Sequence, residues 1–512
     1  MTTSTLPILN WDTAKKLDTE TINVPEERLS ELPERVLMFG TGAFLRGFAS
    51  HIIHQANERG DFEGRIVMVQ STGSNRAQQL ENQDGLYTLQ EHGLKDGEAA
   101  ESFSIVNSIS RAVSAKEEWE EILKLAEKKE MSIVISNTTE VGISFDAKDK
   151  LDDTPPDSYP AKLTQWLYRK YKTLGEDSGK QIIMPCELIN DNGEQLKSMV
   201  NRYVGEWMLE NDFKQWVDQN CHFTNTLVDR IVPGRPEEAK MADLQQNAGY
   251  TDELWIEAEW YRLWAIEGDE KILKERLGFA RNDETVVIAG DITPYRERKV
   301  RILNGSHTAM TPLSILDGNR TVFDTTKNKL THAFLQKVIY DEIIPSLDIN
   351  KQMAVTFADE VLERFANPYL DHRLVQIAFQ ATTKIGTRLI PIMRNYHKNN
   401  GNWPLGIILG IASHLRLLEH ANPADGGYVL TLDGDQHLVK DVKGQKIVET
   451  WKKGMTPTET VKKIMNDEDI WGEHLEVMSQ LSMQMAKKVR QLRNTGCVPE
   501  LQEILKSLEV KH

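Results

Sequence analysis

A chain of 512 residues with a formal charge of -16 is too long for a single core and too acidic for a general nucleic-acid binder, which needs clustered Lys and Arg. With 40% hydrophobic and 27% charged residues it reads as an ordinary globular protein, neither disordered nor fibrous. Three scattered cysteines, Cys186, Cys221 and Cys497, exclude a disulfide framework or a zinc knuckle.

The N-terminus lacks a basic segment followed by an apolar run, and the longest apolar stretch, "PLGIILGIA" (404–412), is about half a membrane span. A cytoplasmic protein with no membrane partner is expected. From residue 35 the pattern is strand, turn, helix. "RVLMF" is short and apolar, "GTG" breaks it, and Phe44, Phe48, Ile52 and Ala56 then recur at four-residue spacing. Gly40 and Gly42 would let the backbone approach a pyrophosphate, which then meets the free N–H groups opening a helix. Position 45 is Leu, so the third glycine of GxGxxG is missing and Gly47 stands two places late. Arg46, in the first turn, offers a charge to the phosphates.

"RIVMVQ" (65–70) reads as the next strand and ends in Gln70, where NAD enzymes usually carry an acid for the ribose diol. Glutamine binds a hydroxyl without repelling a 2′-phosphate, so NAD is favoured and NADP stays open. "SIVIS" (132–136), "QIIMPCEL" (181–188) and "ETVVIAG" (284–290) read as further buried strands, and their alternation with helices implies an α/β first half with parallel pairing. Asn137 and Thr138 follow "SIVIS" at the carboxyl edge where such sheets bind ligands; they suit either the nicotinamide side of a cofactor or a local cap.

A short connection near "AGDITPYRERK" (289–299) divides the chain into 1–295 and 296–512, and the second part is mainly helical, with amphipathic runs at 327–345, 352–366, 372–396, 405–421 and 456–507. It opens with "KVRILNGSHTAM" (299–310). On an α-helix Asn304 lies about 140° and His307 about 80° around from Lys299, so the three share one side. Reduction of a carbonyl needs a proton donor near neutral pKa and hydrogen bonds to the developing oxyanion. Lysine titrates about three units too high until burial or a neighbouring cation lowers it, and asparagine and histidine supply donors. Taken singly, each residue also has a structural explanation. "GGYVLTLDGDQHLVKDVKG" (426–444) predicts a hairpin; its Asp433, Asp435 and Asp441 are too sparse for a calcium loop, and no metal is expected.

Lys-x4-Asn-x2-His at 299–307 matches the catalytic signature of the polyol-specific long-chain dehydrogenases/reductases, the mannitol dehydrogenase family, which the chain resembles over most of its length. "FGTGAFLRGF" (39–48) is similar to that family's GxGxFxR nucleotide loop, with Phe44 and Arg46 in place, and "TLVDRIVP" (226–233) resembles its Val-Asp-Arg-Ile-x-Pro signature. The resemblance implies an expanded Rossmann-like N-terminal domain, a mainly α-helical C-terminal domain and an active site in the interdomain cleft. It implies Lys299 as general acid/base, Asn304 with a second asparagine as oxyanion hole, and His307 orienting a substrate hydroxyl. Sugar-alcohol members read "CDN…NG" where this chain has "CELINDNG" (186–193), so Leu188 replaces the first asparagine and Asn192 becomes the second donor. "RFANPYLDHRLVQIAFQATTK" (364–384) resembles the substrate segment that ends in a substrate-binding lysine, here Lys384, preceded by His372 and Arg373 about three helical turns earlier.

"NQDGLYTL" (82–89), "ISNTTEVGISF" (135–145) and "PCELINDNG" (185–193) resemble the branch of the family that interconverts D-altronate and D-tagaturonate. The implied partner is a small hexuronate or aldonate, whose carboxylate a protein of charge -16 must hold with local cations: Lys384, His372 or Arg373. A fructuronate reductase or mannitol-type dehydrogenase is the alternative within the class. A nucleotide-binding sensor is the alternative outside it, and the intact Lys299, Asn304 and His307 weigh against that.

Overall fold

The computed structural model describes residues 6–71, 75–95, 98–138, 142–472 and 481–509. It divides into two compact units, the first ending at Ile292 and the second beginning at Thr293.

In the first unit, Glu34–Phe39, Arg65–Gln70, Ile109–Ser114, Ile133–Ser136, Gln181–Pro185 and Cys221–Phe223 form one sheet, every neighbouring pair parallel. Numbered along the chain, their spatial order is 3-2-1-4-5-6, the order of a Rossmann fold. Alternate side chains serve opposite faces. Val36, Met38, Ile66 and Met68 pack with Phe48 and Ile52 on one side, while Leu37, Phe39, Val67 and Val69 pack with Trp119, Leu163 and Trp166 on the other. A strand buried on both faces has no polar alternation, which is why the four central strands read as apolar runs, while Ile109–Ser114 and Cys221–Phe223 at the edges, with exposed positions, do not.

Two smaller sheets expand the unit. One joins Tyr87–Lys95 and Glu98–Val106 with Ile256–Ala258; the other joins Thr226–Asp229, Leu263–Glu267 and Val286–Ala289. "ETVVIAG" therefore forms its strand in a satellite sheet, beside Leu263–Glu267, and not in the main one.

The second unit is helical apart from a three-stranded sheet, Asn422–Ala424, Gly427–Leu432 and Asp435–Lys440, whose hairpin turns at Asp433 (φ 52°) and Gly434 (φ 95°). Asp433 pairs with Arg320 through both carboxylate oxygens, at 2.6 and 2.7 Å. Among the described residues, no group of three or more His, Cys, Asp and Glu side chains could hold a metal ion, and no helix is long and apolar enough to cross a membrane.

A continuous helix from Thr293 to Leu316 runs through this unit, widened to a π turn over Lys299–Leu303. Helix Leu405–Glu419 crosses it so closely that a methyl group on Gly410 would lie 2.6 Å from the Ala309 carbonyl oxygen. The crossing helix starts on buried Glu342, which accepts the Gly406 and Ile407 amides at 2.7 and 2.8 Å and whose carboxyl burial pushes up to about 7. The predicted run 372–396 is broken. Leu374–Ile377 ends before Gln380, which adopts φ 53°, and a second helix then runs from Ala381 to Asn400 through a π turn at Ile385–Leu389. The predicted run 456–507 divides at Asn466 and Gly496, and its residues 473–480 lie outside the described residues.

Candidate active site

The first strand ends at the point where strand order reverses, and the chain there enters the glycine loop. Gly40 adopts φ 125°, and a methyl on it would stand 3.0 Å from Leu45 Cδ1 and 3.1 Å from the Asn137 carbonyl oxygen. A methyl on Gly42 would meet nothing within 4 Å, so that face of the loop is open. The cradle fits a pyrophosphate on these two observations. Gly47 has a different job: its missing side chain admits Val232, whose Cγ1 would lie 2.9 Å from a methyl there. It is thus the close-packing glycine of the motif, displaced by two positions.

Arg46 does not face the loop. Its guanidinium is 1% exposed, donates to the Leu254 carbonyl at 2.5 Å and lies 5.2 Å from the Tyr87 ring. The expected phosphate contact is therefore replaced by a structural one, and burial holds the group down at about 10. Phe44 stacks on Phe48 at 5.1 Å. Gln70 is buried at the end of its strand, where its Oε1 accepts the Ala77 amide at 2.8 Å.

Asn137 and Thr138 follow the fourth strand directly, and both are tied to the residues that follow the fifth. Asn137 Nδ2 donates to the Cys186 carbonyl at 3.1 Å, and the Thr138 amide and hydroxyl both donate to Glu187 Oε1 at 3.0 Å. Glu187 is buried, which raises its pKa against the pull of these donors. Residues 139–141 of "ISNTTEVGI" lie outside the described residues. Asn192 is a brace as well. Its Nδ2 donates to the carbonyls of Pro185, Glu187 and Thr226 at 3.0–3.2 Å, and its Oδ1 accepts the Thr226 amide at 2.9 Å. With its amide committed to main chain, it offers no spare hydrogen to an oxyanion in this conformation. Leu188, in the replaced position, is 65% exposed.

Lys299 and Asn304 bound the π turn of the long helix, and the Asn304 amide donates to the Lys299 carbonyl, five residues back. In an α-helix Asn304 would stand about 140° around the axis from Lys299. The extra residue in the turn brings Asn304 up over Lys299 instead, a distortion often found at functional sites. His307 follows, buried, its ring stacked 4.2 Å from Phe365 and set edge-on 5.2 Å from His372. Its Nε2 has no hydrogen-bond partner. Burial, then His372, Arg364, Arg388 and Lys384, push its pKa well below the usual histidine range, so the ring is neutral at pH 7.

Lys384 joins this cluster and Arg373 does not. The break at Gln380 turns the chain, and Thr382 is pinned to Asp441 by its amide and hydroxyl, both at 2.8 Å, and to His414 at 3.0 Å. Lys384 Nζ donates to the Ile377 carbonyl at 2.9 Å. His372 comes near by this reversal, not along a helix. Arg373 is exposed and pairs with Asp371 at 2.8 Å. Sequence reasoning missed Arg388 and Arg364. Arg388 was findable, since "KIGTR" places it four residues from Lys384 on one helical face.

Burial, then Arg388, against the opposing pull of Asp441, lower Lys384 to about 8. Its ammonium is charged below that pH and neutral above it. If it binds a substrate carboxylate, KM should rise as pH passes about 8, by up to tenfold per unit, and in Lys384→Arg the rise should shift upward by a unit or more. Steady-state KM between pH 6.5 and 9.5 measures this, and a flat wild-type KM would remove Lys384 from carboxylate binding.

Comparison with known proteins places these features in a family. Residues 34–278 match the mannitol dehydrogenase Rossmann domain and residues 291–493 the mannitol dehydrogenase C-terminal domain. The altronate oxidoreductase of Bacillus subtilis (strain 168) is 38% identical over 93% of this chain and 96% of its own. The altronate oxidoreductase of Phocaeicola vulgatus is 36% identical over 93% and 98%. Among solved structures, a Pseudomonas fluorescens mannitol 2-dehydrogenase ternary complex with NAD and D-mannitol aligns with TM-score 0.70 at 19% identity, covering 98% of this chain and all of that one. A substrate-free D-sorbitol dehydrogenase aligns with TM-score 0.78 at 21% identity, covering 96% and 99%. With both domain models matched and relatives this similar over nearly the whole length, the chain belongs to the mannitol dehydrogenase family and is an oxidoreductase acting on CH–OH groups.

Proposed function

We propose that the protein interconverts D-altronate and D-tagaturonate with NAD, in the cytoplasm. The observation that carries this reading is a cluster of cations, Lys384, Arg388 and Arg364, gathered around neutral His307 on the helix that bears Lys299 and Asn304. A sugar acid needs such a cluster and a neutral polyol does not. Relatives named altronate oxidoreductase, 36–38% identical over 92–93% of the chain, support the same substrate.

Gly40 and Gly42 would hold the dinucleotide's pyrophosphate against main chain, with Gln70 toward the ribose and Asn137 and Thr138 toward the nicotinamide. When bound, the nicotinamide gives or takes the hydride. Lys299 does the proton work: in reduction its ammonium gives a proton to the ketone oxygen beside the terminal hydroxymethyl group, and in oxidation its amine takes the proton from that hydroxyl. Asn304 donates to the same oxygen as it gains charge. His307, kept neutral by its surroundings, orients a neighbouring hydroxyl with its unpartnered Nε2. Lys384 binds the carboxylate.

The test is turnover of purified protein with D-tagaturonate and either NADH or NADPH, followed by nucleotide absorbance. Turnover is expected with NADH, and about tenfold or more slower kcat/KM with NADPH. Equal rates would remove the NAD assignment. Nucleotide binding without turnover of any ketose would favour a sensor.

A further inference from the structure

Lys384 and Arg388 stand four residues apart on the helix from Ala381 to Asn400, with the π turn Ile385–Leu389 between them. Both are partly buried. Arg388 leans over the helix that carries the signature residues, where its Nη1 donates to Thr308 Oγ1 at 3.2 Å and reaches the Asn304 carbonyl at 3.4 Å. Neither cation pairs with a carboxylate among the described residues.

Arg46, Arg65 and Lys170 are also buried without a paired carboxylate, each held by main-chain carbonyls, while other buried or half-buried arginines are ion-paired. Arg230 pairs with Glu91, Arg262 with Asp283, Arg301 with Glu297 and Arg320 with Asp433. Two neighbouring cations drawn out of water without a paired carboxylate destabilise each other, and Asp441 offsets this only in part at Lys384. Lys384 responds by losing affinity for its proton; Arg388, pushed down by burial to about 10, stays charged at neutral pH. A second, independent observation lies at the same place: His307, more than nine-tenths buried, has an Nε2 without a hydrogen-bond partner, and Arg388 and Lys384 are both near enough to act on its ring.

Building on the sugar-acid reading above, we propose that Arg388 is the principal carboxylate anchor, its guanidinium fork taking both carboxylate oxygens while Lys384 contributes a second charge. Planar two-point binding suits Arg388, because guanidinium geometry matches a carboxylate and an ammonium does not. Its seat on Thr308 and the Asn304 carbonyl fixes the fork relative to the helix that holds Asn304 and His307. Arg388 thereby sets the acid end of the substrate, and the stem of the molecule runs from there toward Lys299.

The experiment compares acid and neutral ketoses of matching stereochemistry, tagaturonate against D-tagatose and fructuronate against D-fructose. In wild type, kcat/KM should favour the acid by about 100-fold or more within the pair that is turned over. In Arg388→Gln that preference should fall roughly 30- to 100-fold, the loss appearing mainly as a higher KM for the acid relative to its neutral partner. Arg388→Lys should restore part of it. Thermal melting and NADH affinity of each variant separate this from a folding defect; if Arg388→Gln does not fold, Arg388→Lys carries the comparison. Wild-type acid preference that survives in both variants overturns the role of Arg388 and leaves the sugar-acid reading standing. Preference for fructuronate over fructose that Arg388→Gln erases upholds Arg388 and overturns the tagaturonate assignment. No acid preference in wild type, in either pair, overturns both.

Discussion

Replacing Lys299 by Ala is expected to lower kcat by roughly 10² to 10⁴, the range supplied by a positioned acid or base. NADH affinity should stay within about twofold, because the glycine cradle belongs to the first unit and Lys299 to the second. Lys299→Arg is the informative companion. It keeps the charge but holds its proton too tightly to give it up, so it should be nearly as inactive. Stopped-flow turnover with fluorescence titration of NADH measures both effects. Activity of Lys299→Arg near wild type would reduce the lysine to an electrostatic role and remove proton transfer from it. A loss of melting temperature in parallel with activity would instead make Lys299 a support for the π turn.

The second large effect is structural. Arg230 is buried and donates from all three guanidinium nitrogens: to the Gly47 carbonyl at 2.6 Å, to the Glu259 carbonyl at 2.7 and 2.9 Å, and to Glu91, with His51 Nδ1 at 3.0 Å. It thereby clamps the helix that opens at the glycine loop onto the satellite strands. Arg230→Ala would strand the Glu91 carboxylate and two carbonyls in the interior. Breaking a buried pair in this way costs about 3–5 kcal/mol, which for a unit of this size lowers Tm by roughly 5–8 °C. Calorimetry should show the loss, together with weaker nucleotide binding. A shift below about 2 °C would mean that water replaces the guanidinium. The Val-Asp-Arg-Ile-x-Pro signature would then need another explanation.

The four central strands of the main sheet were legible because each is a short apolar run next to a glycine or a polar edge; the outer two, Ile109–Ser114 and Cys221–Phe223, carry polar residues and were not. Of the satellite strands only Val286–Ala289 was legible; Ile256–Ala258 and Thr226–Asp229 span three and four residues, too few for a period to show. The π turns escaped for a related reason. An inserted residue leaves the composition of a helix unchanged and shifts only its phase, so Lys299 and Asn304 were recognisable as a set while their alignment was not.

Side-chain jobs were hardest where the partner is main chain. Nothing in "CELINDNG" announces that Asn192 spends its amide on three carbonyls, and nothing in "FLRGF" turns Arg46 inward. Gln380 has a positive φ without being glycine, so the reversal that keeps Arg373 outside the cluster and brings Lys384 into it left no mark in the sequence. Arg388 was within reach, four residues beyond a lysine already singled out.

The ratio of kcat/KM for D-tagaturonate to that for D-fructuronate, measured with saturating NADH, tests the tagaturonate assignment most directly. The two ketones differ in the configuration of one hydroxyl, and a site that hydrogen-bonds that hydroxyl should favour tagaturonate by at least about 100-fold. A ratio near one, or a preference for fructuronate, would contradict it.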